Sequence, residues 1–128
     1  MKKKILIVLA DYYKDISNNL LSSALKNLPK VSQVKIINVP GVFEIPVTIS
    51  KNLNKFDAFI ALGCVIKGET PHFDFISSAT TQGIMNSSID NKKPIGNGII
   101  TCLNKTQAKA RKKKGKEAAE AVISILSQ

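Results

Sequence analysis

Ala58-Phe59-Ile60-Ala61-Leu62-Gly63-Cys64-Val65 is the stretch that decides the fold of this 128-residue chain. It is a short, continuous apolar run, which is typical of a strand buried on both faces of a parallel sheet. Similar runs on either side predict three further strands, at Lys4 to Ala10, Val34 to Val39 and Ile95 to Cys102. We therefore predict a four-stranded parallel sheet.

Helical patterns lie between the predicted strands. Apolar residues recur at three-to-four spacing in four groups: Ile16, Leu20, Ala24 and Leu28; Ile45, Ile49 and Leu53; Phe73, Ile76 and Ile84; Ala118, Val122, Ile125 and Leu126. Asn104 and Gln107 have the spacing of a capping box, which predicts another helix after the fourth strand. Because strand and helix alternate throughout, we expect a three-layer α/β/α fold with helices on both faces of the sheet, formed by one domain over residues 1–128.

We expect a cytoplasmic protein, and no stretch of the sequence is long enough to span a membrane. Apolar residues make up 44% of the chain and are spread along it. The apolar run that opens the sequence is ended by Asp11 after six residues, too early for a signal peptide. Cys64 and Cys102 each lie in an apolar run and have no partner at metal-ligand spacing. We expect no metal, and we expect reduced core thiols rather than a disulfide or a reactive pair.

The net charge of +10 suggests a polyanion as partner. However, 18 of the 19 basic residues are lysine, and aromatic residues, only 5% of the chain, are not interleaved with them. A surface for stacking nucleic-acid bases needs such interleaving. We therefore expect no nucleic-acid partner; a basic RNA-binding protein is an alternative that steep salt dependence would reveal.

Functional residues should follow the strands, because ligands of open α/β sheets bind outside the carboxyl ends of the strands. Tyr12 and Tyr13 follow the first strand, and only one of the two rings can face the crevice. Glu44 follows the second strand after a Pro-Gly turn, at the start of a predicted helix. Helix capping alone would explain this carboxylate, although a substrate hydroxyl could also use it.

The segment Gly68-Glu69-Thr70-Pro71-His72 after the third strand is the sharpest signal in the sequence. Thr70 is a favoured N-cap and Pro71 is favoured at the first helical position, so the first amide groups of the helix lack partners and could bind an anion. His72 then lies where the helix dipole disfavours the imidazolium, as a base at neutral pH requires. An ordinary capped helix is the alternative.

Arg111 follows the fourth strand and is the single arginine of the chain. In a chain that otherwise uses lysine, an arginine suggests forked contact with phosphate or carboxylate. The run Lys112 to Lys116 that follows is interpreted as a solvated turn between two helices.

At these residues the chain resembles the lumazine synthase family along nearly its whole length. The resemblance is carried by VPGVFEIPV (39–47), ALGCVIKGETPHFDFIS (61–77) and GIITCLNKTQAKAR (98–111). It implies a flavodoxin-like fold and the penultimate step of riboflavin biosynthesis. In that step, 5-amino-6-(D-ribitylamino)uracil condenses with 3,4-dihydroxy-2-butanone 4-phosphate to give 6,7-dimethyl-8-ribityllumazine, phosphate and water. No cofactor takes part.

The resemblance also implies roles for individual residues. For the pyrimidine substrate, it predicts ring stacking by Tyr12, a backbone wall at Cys64, Val65 and Ile66, and contacts to the ribityl chain and ring from Val42, Phe43 and Glu44. For the phosphate, it predicts binding by the amides of Glu69 and Thr70 and by Arg111, with Glu117 as the acidic partner of that arginine. His72 is predicted to transfer protons.

Asn97 and the loop after Arg111 depart from the family pattern. Many members place an aromatic ring from a neighbouring subunit where this chain has Asn97, so a polar substrate contact replaces stacking there. The loop is several residues shorter than usual. The resemblance implies a homo-oligomer with interfacial active sites, either a pentamer or twelve pentamers. A non-catalytic flavin- or lumazine-binding paralogue is an alternative, and a pentameric riboflavin synthase is disfavoured by the intact segment 68–72.

Overall fold

The computed structural model describes residues 2–128. Four strands and five α-helices alternate along the chain, with a 3₁₀ turn before the second helix. The elements are β1 Lys4–Ala10, α1 Lys14–Leu25, β2 Gln33–Val39, the 3₁₀ turn Val42–Glu44, α2 Ile45–Lys51, β3 Ala58–Ile66, α3 His72–Asn91, β4 Ile95–Cys102, α4 Lys105–Ala110 and α5 Lys114–Leu126.

The sheet is parallel throughout and has the strand order β2-β1-β3-β4. The predicted four-stranded parallel sheet is therefore confirmed, as is the flavodoxin-like α/β/α arrangement. The chain adds β2 on one side of β1 and then continues on the other side with β3. Such a reversal of strand order opens a crevice at the carboxyl ends of β1 and β3, where α/β folds bind ligands.

The core consists of two layers, one on each face of the sheet. Alternate residues of β1 point to opposite faces, as strand geometry requires. On the α1/α5 side, buried residues of the sheet pack against Leu20, Ala24, Ala119 and Val122. On the α2/α3 side, they pack against Val42, Ile45, Ile49 and Ile84.

Two helices end earlier than the apolar periodicity predicts. α1 ends at Leu25 and α2 at Lys51, so Leu28 and Leu53 lie in the turns that follow. Both side chains still pack against the core. Their apolar spacing therefore reflects burial beyond the helix end, and the last apolar residue of each predicted stripe lies outside its helix.

The lysine-rich segment after Arg111 is not a continuous turn. α5 begins at Lys114, so only Lys112 and Lys113 of the run 112–116 lie outside a helix. Gly115 is buried, and a Cβ added to it would overlap the Leu20 carbonyl oxygen of α1. This close approach of two backbones requires a residue without a side chain, and it corrects the prediction of a solvated turn over the whole run.

The capping box before α4 is confirmed with one change. Gln107 donates its backbone N–H to Asn104 Oδ1 at 2.9 Å, and Gln107 Oε1 accepts from the Leu103 amide at 2.8 Å rather than from the Asn104 amide. Across residues 2–128, no helix combines the length and apolar character that a membrane crossing requires.

Candidate active site at the carboxyl edge of the sheet

The residues predicted to bind substrate lie mostly beyond the carboxyl ends of the strands. Backbone hydrogen bonds hold these ends together: the Asp11 amide donates to Val39 O at 3.1 Å, and the Lys67 amide donates to Cys102 O at 2.9 Å. The first bond joins the ends of β1 and β2, and the second joins the ends of β3 and β4. Segments that are distant in sequence therefore meet at one edge.

Of the two adjacent tyrosines after β1, Tyr13 packs against the core and Tyr12 is exposed. Tyr13 packs against the core on the α1/α5 side, and burial, followed by the nearby Tyr12 and Cys64, raises its pKa above the ordinary value. Tyr12 is 73% exposed and meets Tyr13 edge-to-face, with 4.9 Å between the ring centroids. Tyr12 is thus the ring that is free to stack on a ligand.

The segment Val42–Glu44 presents two side chains to the surface above the α2/α3 side. Val42 is buried, Phe43 is 59% exposed and Glu44 is half-buried. Glu44 occupies the N-cap position of α2, yet its side chain makes no capping hydrogen bond. The carboxylate of Glu44 is therefore not used as a hydrogen-bonding cap, although it still lies at the end of α2 where the helix dipole favours a negative charge.

The segment Gly68–His72 leads from β3 into α3. α3 begins at His72 with Pro71 as N-cap, one residue later than predicted, and Thr70 Oγ1 accepts the His72 amide at 3.4 Å. Among residues 2–128, no hydrogen bond uses the amide N–H of Glu69 or Thr70. His72 is exposed at this turn. Unused amides and an accessible imidazole therefore lie within four residues of each other.

Cys64, Val65 and Ile66 are the last three residues of β3, directly before this segment. Cys64 is buried beside Cys102, and both cysteines are free, as predicted for core thiols. Burial, the neighbouring Cys102 and a hydrogen bond between the two thiols raise the pKa of Cys64 to about 12. At neutral pH the thiol is protonated, so it is not a nucleophile.

Arg111 lies at a cavity of about 410 Å³ on the outer side of β4. The guanidinium Nη1 is 3.5 Å from Thr101 O, and Glu117, Lys113 and Lys114 line the same cavity. Arg111 and Glu117 line the same cavity, but no ion pair joins them among residues 2–128, and the two lysines add cationic groups that the sequence analysis did not assign. None of residues 68–72 lines this cavity.

Asn97 is the predicted site residue that the fold places away from the others. It is exposed on β4, the edge strand, and lies five residues before the carboxyl end of that strand. Its Oδ1 accepts the Ile99 amide at 3.0 Å. Within one chain, Asn97 therefore satisfies an amide on the open edge of the sheet and does not approach the segment 68–72.

Sequence comparison decides which proteins share this arrangement. A sequence profile of the family described as 6,7-dimethyl-8-ribityllumazine synthase matches residues 2–128. The chain belongs to this family. The match confirms the predicted family and its enzyme class, a transferase.

Individual relatives from several bacteria bear the same name. The 6,7-dimethyl-8-ribityllumazine synthase of Cutibacterium acnes is 40% identical over 133 residues, covering 97% of this chain and 80% of the relative. That of Buchnera aphidicola subsp. Baizongia pistaciae is 41% identical over 134 residues, covering 98% and 84%. That of Bartonella tribocorum is 39% identical over 138 residues, covering 99% and 91%.

Thr80 of this lumazine synthase family member was not singled out as a candidate site residue in the sequence analysis. It lies on α3, lines a cavity beside Phe43 and Glu44, and its buried hydroxyl has no hydrogen-bond partner among residues 2–128. A threonine within a helix gives no sequence signal of this kind. Nowhere in the described part of the chain do three or more His, Cys, Asp or Glu side chains come together as metal ligands could.

Proposed function

We propose that the chain condenses 5-amino-6-(D-ribitylamino)uracil with 3,4-dihydroxy-2-butanone 4-phosphate to give 6,7-dimethyl-8-ribityllumazine, the penultimate step of riboflavin biosynthesis. The observation that carries the proposal is the segment Gly68–His72, in which unused amides and an exposed histidine follow β3 at the crevice of a lumazine synthase fold. The unused amides suit a phosphate, and the imidazole suits a proton transfer.

The phosphate group would be held by two separate parts of the fold. The amides of Glu69 and Thr70 precede α3, whose dipole favours an anion at that end. Arg111 would add a forked, charge-assisted contact. Because the cavity of Arg111 contains none of residues 68–72, we propose that the arginine of one subunit completes the phosphate site of its neighbour.

Exposed apolar residues on α3 support such an assembly. Phe75, Met85 and Ile89 are 68%, 57% and 63% exposed, and helical periodicity places them on one side of α3. An apolar stripe in this position is typical of a surface that another subunit covers. We propose a homo-oligomer of at least five subunits, a pentamer or twelve pentamers, with active sites at the interfaces.

The pyrimidine substrate would lie between Tyr12 and the last three residues of β3. Tyr12 offers the exposed ring for stacking, and Cys64, Val65 and Ile66 offer the backbone wall beside it. Phe43 and Glu44 would contact the ribityl chain, and Asn97 of a neighbouring subunit would replace an aromatic contact by a polar one. No cofactor is needed for this chemistry.

The reaction would begin with attack of the 5-amino group on the butanone carbonyl, and loss of water gives an imine. His72 would take the proton from the adjacent carbon as phosphate leaves the chain terminus. The resulting enol becomes a ketone, the ribitylamino nitrogen attacks it, and loss of a second water closes the ring. Much of the rate enhancement is expected from orienting two bound substrates rather than from strong acid or base catalysis.

A turnover assay on the purified protein with both substrates tests the proposal. We expect equal amounts of phosphate and lumazine, from a particle whose mass in solution corresponds to five subunits or a multiple of five. Binding of the lumazine product without phosphate release from the two substrates would instead indicate a non-catalytic paralogue. An active monomer would contradict the shared site.

A further inference from the structure

The turn between β1 and α1 is held to the rest of the chain at both of its ends. At its start, the Asp11 amide donates to Val39 O at 3.1 Å, and the Asp11 carboxylate accepts from Asn38 Nδ2 at 3.0 Å. Both bonds join the turn to the end of β2. We refer to residues 11–13 as the stacking turn, because they carry the ring of Tyr12 that the proposed function places on the pyrimidine.

Ser17 of α1 holds the other end of the stacking turn. Its Oγ donates to Ala10 O, directly before the turn, at 2.5 Å, and its amide donates to Tyr13 O, at the end of the turn, at 2.9 Å. A helical serine that bonds the backbone usually reaches the carbonyl three or four residues before it. The hydroxyl of Ser17 instead reaches back into β1, so one residue binds the carbonyls on both sides of Tyr12.

The hydroxyl of Ser17 is buried, although its position on α1 favours an apolar side chain. Ser17 is 0% exposed and lies on α1 beside the buried residues Ile16 and Leu20. An alanine would pack at this position equally well. Because water does not reach the hydroxyl, nothing competes for its bond to Ala10 O. The presence of a serine is therefore explained by this bond rather than by packing.

The ring of Tyr12 depends on the stacking turn for its orientation. Tyr12 is 73% exposed and meets the ring of Tyr13 edge-to-face, with 4.9 Å between the centroids. Tyr13 packs against the core, and the ammonium group of Lys105 lies 5.9 Å from the centroid of its ring. Tyr13 therefore supports one edge of Tyr12, while the backbone on both sides of Tyr12 is held by Ser17.

We propose that Ser17 is a positioning residue for the pyrimidine substrate. By binding the carbonyls of Ala10 and Tyr13, it holds the ring of Tyr12 in the orientation that stacks on the pyrimidine. Ser17 is buried, so it acts through Tyr12 and does not touch the substrate. A ring that is already held in its bound orientation loses less conformational freedom on binding, which increases affinity. This inference rests on the proposed function, because that function supplies the pyrimidine.

Steady-state kinetics of Ser17→Ala, with each substrate varied in turn, tests the proposal. The KM for the pyrimidine should rise about threefold to tenfold, because the stacking ring is no longer held in place. The dissociation constant of 6,7-dimethyl-8-ribityllumazine should rise by a similar factor. The KM for the butanone phosphate should change less than about twofold, because the amides of Glu69 and Thr70 are not part of the stacking turn. Partial unfolding alone would lower the apparent kcat and leave both KM values unchanged.

Ser23→Ala is the matched control on the same helix. Ser23 Oγ accepts the Lys116 amide at 3.0 Å, so this variant also loses one hydrogen bond between a serine hydroxyl and the backbone. It should lower the stability towards urea and leave both KM values unchanged. Circular dichroism checks that each variant is folded.

A double mutant shows whether Ser17 acts through Tyr12. Tyr12→Ala alone should raise the dissociation constant of the lumazine about tenfold, as expected for one lost stacking contact. Adding Ser17→Ala should raise it less than about twofold further, because the ring that Ser17 holds is then absent.

Three results would overturn the positioning role while wild-type turnover still supports the proposed function. They are an unchanged pyrimidine KM in Ser17→Ala, an equal rise in Ser23→Ala, and a full additional loss in the double mutant. If Ser17→Ala does not fold, Ser17→Cys decides, because its thiol has nearly the same shape and donates only weakly; an unchanged pyrimidine KM there would also overturn the role. Wild-type protein that neither binds the lumazine nor releases phosphate would overturn the proposed function as well.

Discussion

The α1/α5 side and the α2/α3 side of the sheet differ in how closely their helices approach each other. On the α1/α5 side, α5 approaches α1 so closely that Gly115 has no room for a side chain against the Leu20 carbonyl. On the α2/α3 side, a slot of about 370 Å³ remains, a buried hydroxyl at Thr80 has no partner in residues 2–128, and three large apolar side chains of α3, Phe75, Met85 and Ile89, are exposed.

This difference indicates which parts of the fold mainly provide stability and which can bind other molecules. A tightly packed contact cannot admit a ligand between its helices without being rebuilt, because cores are packed to crystal density. We therefore assign much of the stability to the α1/α5 contact and expect the subunit interface at the exposed apolar side chains of α3. The Arg111 cavity includes Lys114 and Glu117 of α5, so ligand binding would use both sides of the sheet.

Replacing Gly115 by alanine should give the largest effect and test the closed side directly. The new Cβ would overlap the Leu20 carbonyl oxygen, which is backbone and cannot rotate away. We expect a loss of about 3 kcal/mol in the free energy of unfolding, at the upper end for overpacked sites. Urea denaturation at fixed protein concentration measures it.

Gly68→Ala is the matched control for Gly115→Ala. A Cβ added to Gly68 has no atom within 4 Å, so its stability should change by less than about 0.5 kcal/mol. Equal losses in the two variants would show that tight packing does not distinguish the α1/α5 side.

A charge on the apolar stripe of α3 should give the next largest effect. Ile89→Glu would place an unpaired carboxylate in the proposed subunit interface, which is expected to cost about 2 kcal/mol or more of association free energy. Sedimentation velocity over a range of concentrations should show dissociation. Ile125→Glu, at a residue of α5 that is 46% exposed, should leave the assembly intact. Dissociation of Ile125→Glu, with Ile89→Glu still assembled, would place the subunit interface on α5 instead of α3.

The sequence predicts the strands better than the helix ends. β1 and β4 begin and end at the predicted residues because their apolar runs are bounded by polar or turn residues. The apolar spacing predicts Leu28 and Leu53 in helices, because spacing alone does not separate a buried turn from a helical turn. Gly115 was assigned to a turn because its partner, Leu20, is close only in the fold.

The candidate site was predictable only where a local motif carries it. The anion-binding segment 68–72 and the capping box at Asn104 depend on neighbouring residues, so their spacing reveals them. Thr80 was missed because its burial depends on how α2 packs against α3. That Glu44 makes no capping bond likewise depends on side-chain conformation rather than on its position at a helix start.

Replacing His72, the first residue of α3, tests its proposed role in proton transfer. Because orientation of the two substrates should supply much of the rate, His72→Ala is expected to lower kcat about tenfold, below the usual contribution of a general base, without abolishing turnover. Phosphate release under saturating substrates measures it. Asp74→Asn, two residues further along α3, should retain wild-type kcat. Complete loss of activity in a folded His72→Ala variant would show that proton transfer, not orientation, dominates.

The smallest effect expected is the pH dependence contributed by Cys64 on the closed side. Because burial raises the pKa of this thiol from 9.0 to about 12, the folded state holds its proton more tightly than the unfolded state does. The resulting stability is present in full below pH 9 and is lost as the pH rises from 9 towards 12. Between pH 8 and 10, wild-type protein should therefore lose about 1 kcal/mol more unfolding free energy than Cys64→Ala. Urea titrations at both pH values measure the two losses, and parallel losses would show that water reaches Cys64 and that the α1/α5 side is less closed than its packing indicates.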